Sequence, residues 1–320
     1  MVKAITPAEV SFIGSGLDRP ECVLPTRSGD IFTSYRHGVA CVHADGRTTL
    51  VAAKDAPEDF MPNGIALLAN RDVLIANLGR EGGVWRMDLA GNLKPELLEV
   101  DGVKLPPTNF VGNDRAGRTW ITVSTKIYPR DQVLRKGWAD GFIVMKDASG
   151  ARIVAEGIGY TNEAIADPTG THLYVNETMG RCISRFPIRP DGSLGTKEVV
   201  CAFGAGVFPD GFAFDAHGDV WIVSVVSNRV IHVDVKTGKD TLILEDCDAA
   251  AVAEAEHQYQ TAVMERRCLD AGRLRPLGNV ASIGFGGPDL RTVYLGSLYG
   301  TSIASFRSDI AGAEPVQWNY

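Results

Sequence analysis

Six times in this chain a carboxylate or carboxamide residue stands eight positions ahead of a tight turn that opens into an apolar strand. The six residues are Glu21, Asn63, Asn109, Asn162, Asp210 and Asn279; the turn positions are Gly29, Arg71, Gly117, Gly170, Gly218 and Gly287. Two of the units read NFVGNDRAGRTWITV and DGFAFDAHGDVWIVS. Each begins with the polar residue, runs on as a short apolar segment, turns on Asp, Asn, Pro or Gly, and returns as a β-branched or aromatic run. That is the pattern of a hairpin. A hairpin repeated around an axis brings its starting residues to one height. Six such residues then form a ring of oxygen donors, which suits a hard cation.

The units recur at about 41 to 70 residues, the range of propeller blades. The expectation is an all-β chain: a six-bladed β-propeller forming a single domain over residues 1–320. A toroid leaves two open edges unless its termini share a blade. Residues 9–13, Glu-Val-Ser-Phe-Ile, read as a strand preceding the first unit, and are expected to complete the last blade. Trp120, Tyr174, Trp221 and Tyr294 recur at one strand position and are expected to pack between blades.

Two insertions interrupt the repeat. One follows Thr125 and reads KIYPRDQVLRKGWAD. The other, about residues 247–275, lies between blades five and six. Its core, DAAAVAEAEHQYQTAVMERRCLD, has strong helix formers and Asp248 as an N-cap. Both follow strands that end on the face where the polar residues begin, so both should lie over the ring. The helical one is also a candidate contact for a homo-oligomer. From the first insertion Tyr128, Arg130 and Trp138 are candidate substrate contacts, as is His37 after a second strand.

Composition narrows the function. A net charge of −7 argues against a nucleic-acid surface, which needs clustered Lys and Arg. No stretch has the length and apolarity of a membrane span. The N-terminal MVKAITPAEV lacks the apolar core of a signal peptide, and the six cysteines form no CxxC pair. The default expectation is a cytoplasmic protein with a small-molecule substrate. There is no GxSxG nucleophile motif, phosphate loop or dinucleotide fingerprint.

The motifs around Glu21, TNEAIADPTG with Asn162, and PDGFAFDAHGDVWIVS with Asp210 resemble the SMP-30/gluconolactonase (regucalcin-like) family. The resemblance spans about residues 9–306. It implies a six-bladed propeller with metal-dependent lactonase activity. It also implies that Glu21, Asn162 and Asp210 are metal ligands, with Asn109 contacting metal or substrate. Two positions depart from the family pattern. Pro107 stands where sugar-lactone enzymes usually carry Arg, and Glu163 follows Asn162 where Gly is common. The expected substrate is therefore a lactone less hydroxylated than gluconolactone.

Two carboxylates with two or three amide oxygens suit Ca²⁺, or with fewer ligands Mg²⁺, Mn²⁺ or Zn²⁺. One divalent cation would polarise an ester carbonyl, and Asp210 is the candidate general base. Glu163 is a weaker one, since strand alternation turns it away from the axis. The alternatives are a phosphotriesterase-like or non-hydrolytic reaction at the same centre, and a non-catalytic calcium-binding propeller. Asn63 and Asn279 are open between channel lining and structural hydrogen bonding.

Overall fold

The computed structural model describes residues 2–261 and 264–320. Six four-stranded antiparallel sheets are arranged as blades. Their innermost strands are Val23–Pro25, Pro62–Leu67, Phe110–Asn113, Thr161–Ala166, Phe208–Phe214 and Val280–Gly286. Each begins within two residues of one of the six repeated polar positions. Strand order within a blade follows chain order, with one exception. The last blade takes its outermost strand from Ser11–Ile13, paired to Ile303–Arg307 through Ser11↔Ser305, Phe12↔Ala304 and Ile13↔Ile303. The N-terminal strand thus closes the ring as expected.

The turn after each innermost strand shows how sequence becomes geometry. In blade three Asp114 Oδ1 accepts the backbone N–H groups of Ala116 and Arg118, while its Oδ2 accepts the Trp120 indole N–H at 3.0 Å. Asp215 repeats the arrangement in blade five with His217, Asp219 and Trp221. One carboxylate therefore shapes the turn and anchors a large ring. Trp120 then packs against Leu173 and Val175 of the next blade, and Trp221 against Phe285 and Val293. Tyr174 meets Phe214 edge-on at 5.1 Å, and Tyr294 packs against the first blade. Each pair of neighbouring blades encloses one apolar cluster, so the core is six layers arranged radially.

A seventh apolar cluster lies outside the blades and joins the two insertions. Val133 and Leu134 from the first pack with Ala255, Tyr259, Met264 and Leu269 from the second, over Phe208, Val225 and Tyr160 of the propeller. The second insertion contains helix α1 (Ala249–Thr261) and a short helix α2 (Arg266–Leu269). Asp248 caps α1 as expected: its Oδ1 accepts the N–H groups of Ala250 and Ala251 at 2.9 and 3.0 Å. The helical run is not continuous, however. Met264 is buried in the cap and donates its N–H to the Leu134 carbonyl, and Glu265 is extended. A backbone bond to the other insertion has replaced a helical one, a trade that helix propensity cannot foresee.

Glu256 ties the cap to the propeller. Its two carboxylate oxygens accept from Arg181 at 2.9 Å, and Gly206 N–H donates to one of them. The Arg181 guanidinium also lies over the rings of Phe208 and Tyr259. None of the described helices is long and apolar enough to cross a membrane.

Candidate metal centre

Five of the six repeated polar residues converge: Glu21, Asn63, Asn109, Asn162 and Asp210 line one narrow cleft of about 40 Å³ at the capped end of the channel. Four of the innermost strands carry a register shift close to a repeated polar position, between Pro62 and Ile65, Thr161 and Ala164, and Pro209 and Phe212 beside converging residues, and between Val280 and Ser282 beside Asn279. A bulge lets two successive side chains serve one face of a strand.

The amide orientations are set by their neighbours. Asn162 Nδ2 donates to Thr178 Oγ1 at 3.0 Å, and that hydroxyl in turn donates to the Pro209 carbonyl. Asn162 Oδ1 is left buried without a partner. Glu21 Oε1 accepts from Asn63 Nδ2 at 3.1 Å, and Glu21 Oε2 is likewise buried and unpaired. Asn109 donates through Nδ2 to Ser124 Oγ and the Thr161 carbonyl, and its Oδ1 accepts from Asn63. Backbone at Asp210 is fixed by Asn176, whose Nδ2 donates to the Asp210 carbonyl at 2.8 Å. Asn63 is therefore a bridge between Glu21 and Asn109, itself held by Arg19.

Electrostatics sharpen the picture. Burial pushes the Glu21 carboxyl up to about 7, against the pull of Arg19 and Asn63. Burial also raises Asp210 well above the carboxylate range, and the Glu21 charge adds to the shift. Two buried carboxyls in one cleft, with Glu21 Oε2 and Asn162 Oδ1 unpaired, are costly by themselves. A divalent cation removes that cost, and the donor set of two carboxylates with amide oxygens fits a hard one. Glu21, Asn162 and Asp210 would hold it, with the second lone pair of Asn109 Oδ1 within the same cleft.

The remaining predicted residues divide. Arg130 lines the cleft, with its guanidinium over the Tyr160 ring. Trp138 does not line it; it supports the cap, donating its indole N–H to Asp140 and stacking with Arg135. Tyr128 is half exposed under Arg80, and His37 is exposed beside Tyr35, so neither is brought to the cleft. Asn279 does not join the ring either. It has φ +66°, its Oδ1 accepts from Val226 N–H, and its Nδ2 donates to the Leu269 carbonyl. It is a structural tie between blade and cap.

Glu163 departs from the alternation argument. The bulge in its strand turns it into the channel, below the cleft, where its Oε2 accepts the Phe212 N–H. Gly211 makes room for it, since a Cβ there would stand 2.8 Å from Glu163 Oε1. Sequence reasoning missed Arg19, Tyr160, Thr178 and Arg266, all of which line the cleft. Arg19 and Tyr160 each stand two residues before a repeated position, a signal the sequence did carry; Arg266 depends on the fold of the cap and left none.

The opposite mouth of the channel is wider, about 430 Å³, and is lined by apolar inner-strand residues, the blade turns and Ala313–Gln317 near the C-terminus. Two further groups of potential ligands occur among the described residues, Asp30–Cys41–His43 and Asp215–Asp219–His232. The Asp215 oxygens are already engaged in the turn and with Trp221, and Arg71 is paired to Asp30.

A six-bladed propeller with a polar centre at one end of its channel defines the class. The profile of the SMP-30/Gluconolactonase/LRE-like region matches residues 30–253, and the chain belongs to that family. A 6-deoxy-6-sulfogluconolactonase of Pseudomonas putida is 26% identical over 240 residues, covering 74% of this chain and 67% of the relative. Among solved structures, the calcium-binding protein regucalcin of Agrobacterium tumefaciens shares the fold with a TM-score of 0.70 at 19% identity, covering all of both chains. A gluconolactonase of Xanthomonas campestris does so with 0.64 at 18% identity, covering 92% of this chain and 88% of its own.

Proposed function

We propose that this chain is a divalent-cation-dependent lactonase. The observation that carries the reading is the pair of unpaired, buried oxygens, Glu21 Oε2 and Asn162 Oδ1, beside Asp210 in one cleft. Family membership supports lactone opening, as do the lactonase names of two of its relatives.

A bound divalent cation would supply polarisation of the ester carbonyl and charge for the developing oxyanion. Thr178 holds the Asn162 oxygen towards the cleft, and Asn63 does the same for Glu21. Asp210 is our candidate to take a proton from the attacking water, with the bound cation favouring its ionised form. Glu163 lies on the far side and accepts a backbone N–H, which favours a structural task for it. Leu78, Val225, Leu269 and Leu298 form the apolar part of the cleft wall. With Pro107 in place of the family's Arg, they support a ring that turns an unhydroxylated edge to this apolar part of the wall.

The test is hydrolysis of gluconolactone, aliphatic lactones and aromatic lactones by protein stripped with a chelator and reloaded with Ca²⁺, Mg²⁺, Mn²⁺ or Zn²⁺. The expected result is activity only after reloading, with gluconolactone not preferred. Full activity in metal-free protein would contradict the cation requirement, and inactivity on every lactone with metal bound would contradict the lactonase reading.

A further inference from the structure

The cap delivers hydrogen-bond donors to the cleft that no protein acceptor uses. The side chain of Arg130, from the 3-10 turn Arg130–Val133 of the first insertion, makes no hydrogen bond or ion pair among the described residues; it only overlies the Tyr160 ring at 5.8 Å. Arg266, from α2 of the second insertion, donates through Nε to Asp270 at 2.9 Å, and its two terminal amino groups have no hydrogen-bond acceptor among the described residues. Asp270 also accepts the Tyr299 hydroxyl, so the stem of Arg266 is held in place. The Tyr160 hydroxyl is buried without a partner. All three residues line the same cleft as Glu21, Asn162 and Asp210.

Arg130 and Arg266 act on Glu21 and Asp210 through their charge, but without direct contact. Neither makes an ion pair with Glu21 or Asp210 among the described residues, whereas Arg19 already lies beside Glu21 and is engaged with Asn63 and the Pro62 carbonyl. The buried Tyr160 hydroxyl is costly without a partner, and together with two guanidinium groups free to donate it matches a planar or tetrahedral oxyanion.

We propose that Arg130, Arg266 and Tyr160 form an anion-recognition subsite, and that the lactone opened here carries a carboxylate or sulfonate substituent held against the cap while its ester carbonyl faces Asp210 and Asn162. This rests on the lactonase reading for the identity of the ring, but the subsite itself does not. The two insertions then have a joint purpose: each contributes one arginine, so the subsite exists only when both are docked. It also adds a polar demand to the apolar walls, giving a substrate with few hydroxyls and one fixed charge.

The test has a binding arm and a kinetic arm, both with metal-loaded full-length protein. In the first, calorimetry compares glutarate with butyrate, which share one carboxylate and differ in the second. Glutarate is expected to bind at least about tenfold more tightly, and Arg130→Gln to erase most of that difference. Because the Arg130 side chain makes no hydrogen bond or ion pair among the described residues, its replacement gives up only its contact with the Tyr160 ring; Arg266→Lys, which keeps a charge near Asp270, is the second variant and should reduce the difference in part. In the second arm, γ-butyrolactone is compared with its γ-carboxylate. The ratio of kcat/KM should favour the carboxylate in the wild type and fall about tenfold in Arg130→Gln. Equal binding of glutarate and butyrate to the wild type would overturn the subsite even if lactones are hydrolysed. A glutarate preference lost in Arg130→Gln, with no lactone hydrolysed, would uphold the subsite and overturn the lactonase reading instead.

Discussion

The two mouths of the channel differ in almost every physical respect. One is about 40 Å³, capped, and crowded with Glu21, Asp210, three amides and three arginines; the other is about 430 Å³ and mostly apolar. Size alone selects the wide mouth. Chemistry selects the narrow one, because there the protein leaves buried oxygens unpaired and buries two carboxyls together. An apolar cavity needs no occupant to be tolerated, whereas buried polar atoms without partners do. The comparison teaches that the cost a site imposes on its own fold is a better guide to function than the space it encloses.

The largest expected effect is at the narrow mouth itself. Asp210→Ala should lose bound cation and lower kcat/KM on a hydrolysed lactone by about a hundredfold or more, with metal content measured on the same sample. Full metal occupancy in that variant would remove Asp210 from the centre. Next is a residue that orients a proposed ligand. Thr178→Val deletes the acceptor that orients the Asn162 amide, and should weaken metal affinity by about 10- to 100-fold while the fold is kept. Calorimetric titration with Ca²⁺ or Mn²⁺ would show it, and unchanged affinity would mean that the Asn162 oxygen is not a ligand.

A smaller effect concerns how the narrow mouth stays covered. Burial alone would raise the Glu256 carboxyl, but hydrogen bonds from Arg181, Gln260 and Gly206 N–H more than reverse this and bring it down to about 2. A carboxyl lowered on folding stabilises above its unfolded value and loses that contribution as pH falls through the folded one. Anchoring of α1 should therefore weaken between about pH 4.5 and 2. Pepsin cleavage within residues 247–275 should rise over that interval in the wild type relative to Glu256→Gln, which has no such carboxyl to titrate. Parallel cleavage of the two proteins would contradict the assignment.

The smallest effects are expected towards the wide mouth. Glu163→Gln, which keeps an acceptor for Phe212 N–H, should retain its metal and change kcat/KM by less than about threefold. Thr169→Trp, at the exposed rim, should change it by less than about twofold. A loss of activity in Thr169→Trp comparable to that in Asp210→Ala would reverse the comparison and move the chemistry to the wide end.

The same contrast explains what was legible in the sequence. Hairpins are local, so the blades, the closing strand at Ser11–Ile13 and the packing of Trp120 and Trp221 could be read from period-two patterns and turn residues. The convergence of Glu21, Asn109, Asn162 and Asp210 followed from repetition of that local pattern. Bulges are invisible in a sequence, because they are defined by pairing between strands; hence simple alternation puts Glu163 on the wrong side. Asn279 shared the spacing of the others but adopts a positive φ and bonds to the cap, which only the tertiary fold decides. The cap was placed correctly by topology. Which of its side chains enter the cleft was not legible, since Arg266 is positioned by a helix break at Met264 and Trp138 by its own hydrogen bond to Asp140.

The central claim is that the narrow mouth is a cation site. Its most direct measurement is anomalous diffraction from crystals of the protein soaked in Mn²⁺, which requires no assumption about substrate. One strong peak is expected, about 2.0 to 2.6 Å from oxygens of Glu21, Asn162 and Asp210. A peak in the wide mouth or at Asp215, Asp219 and His232, with nothing between Glu21 and Asp210, would contradict it.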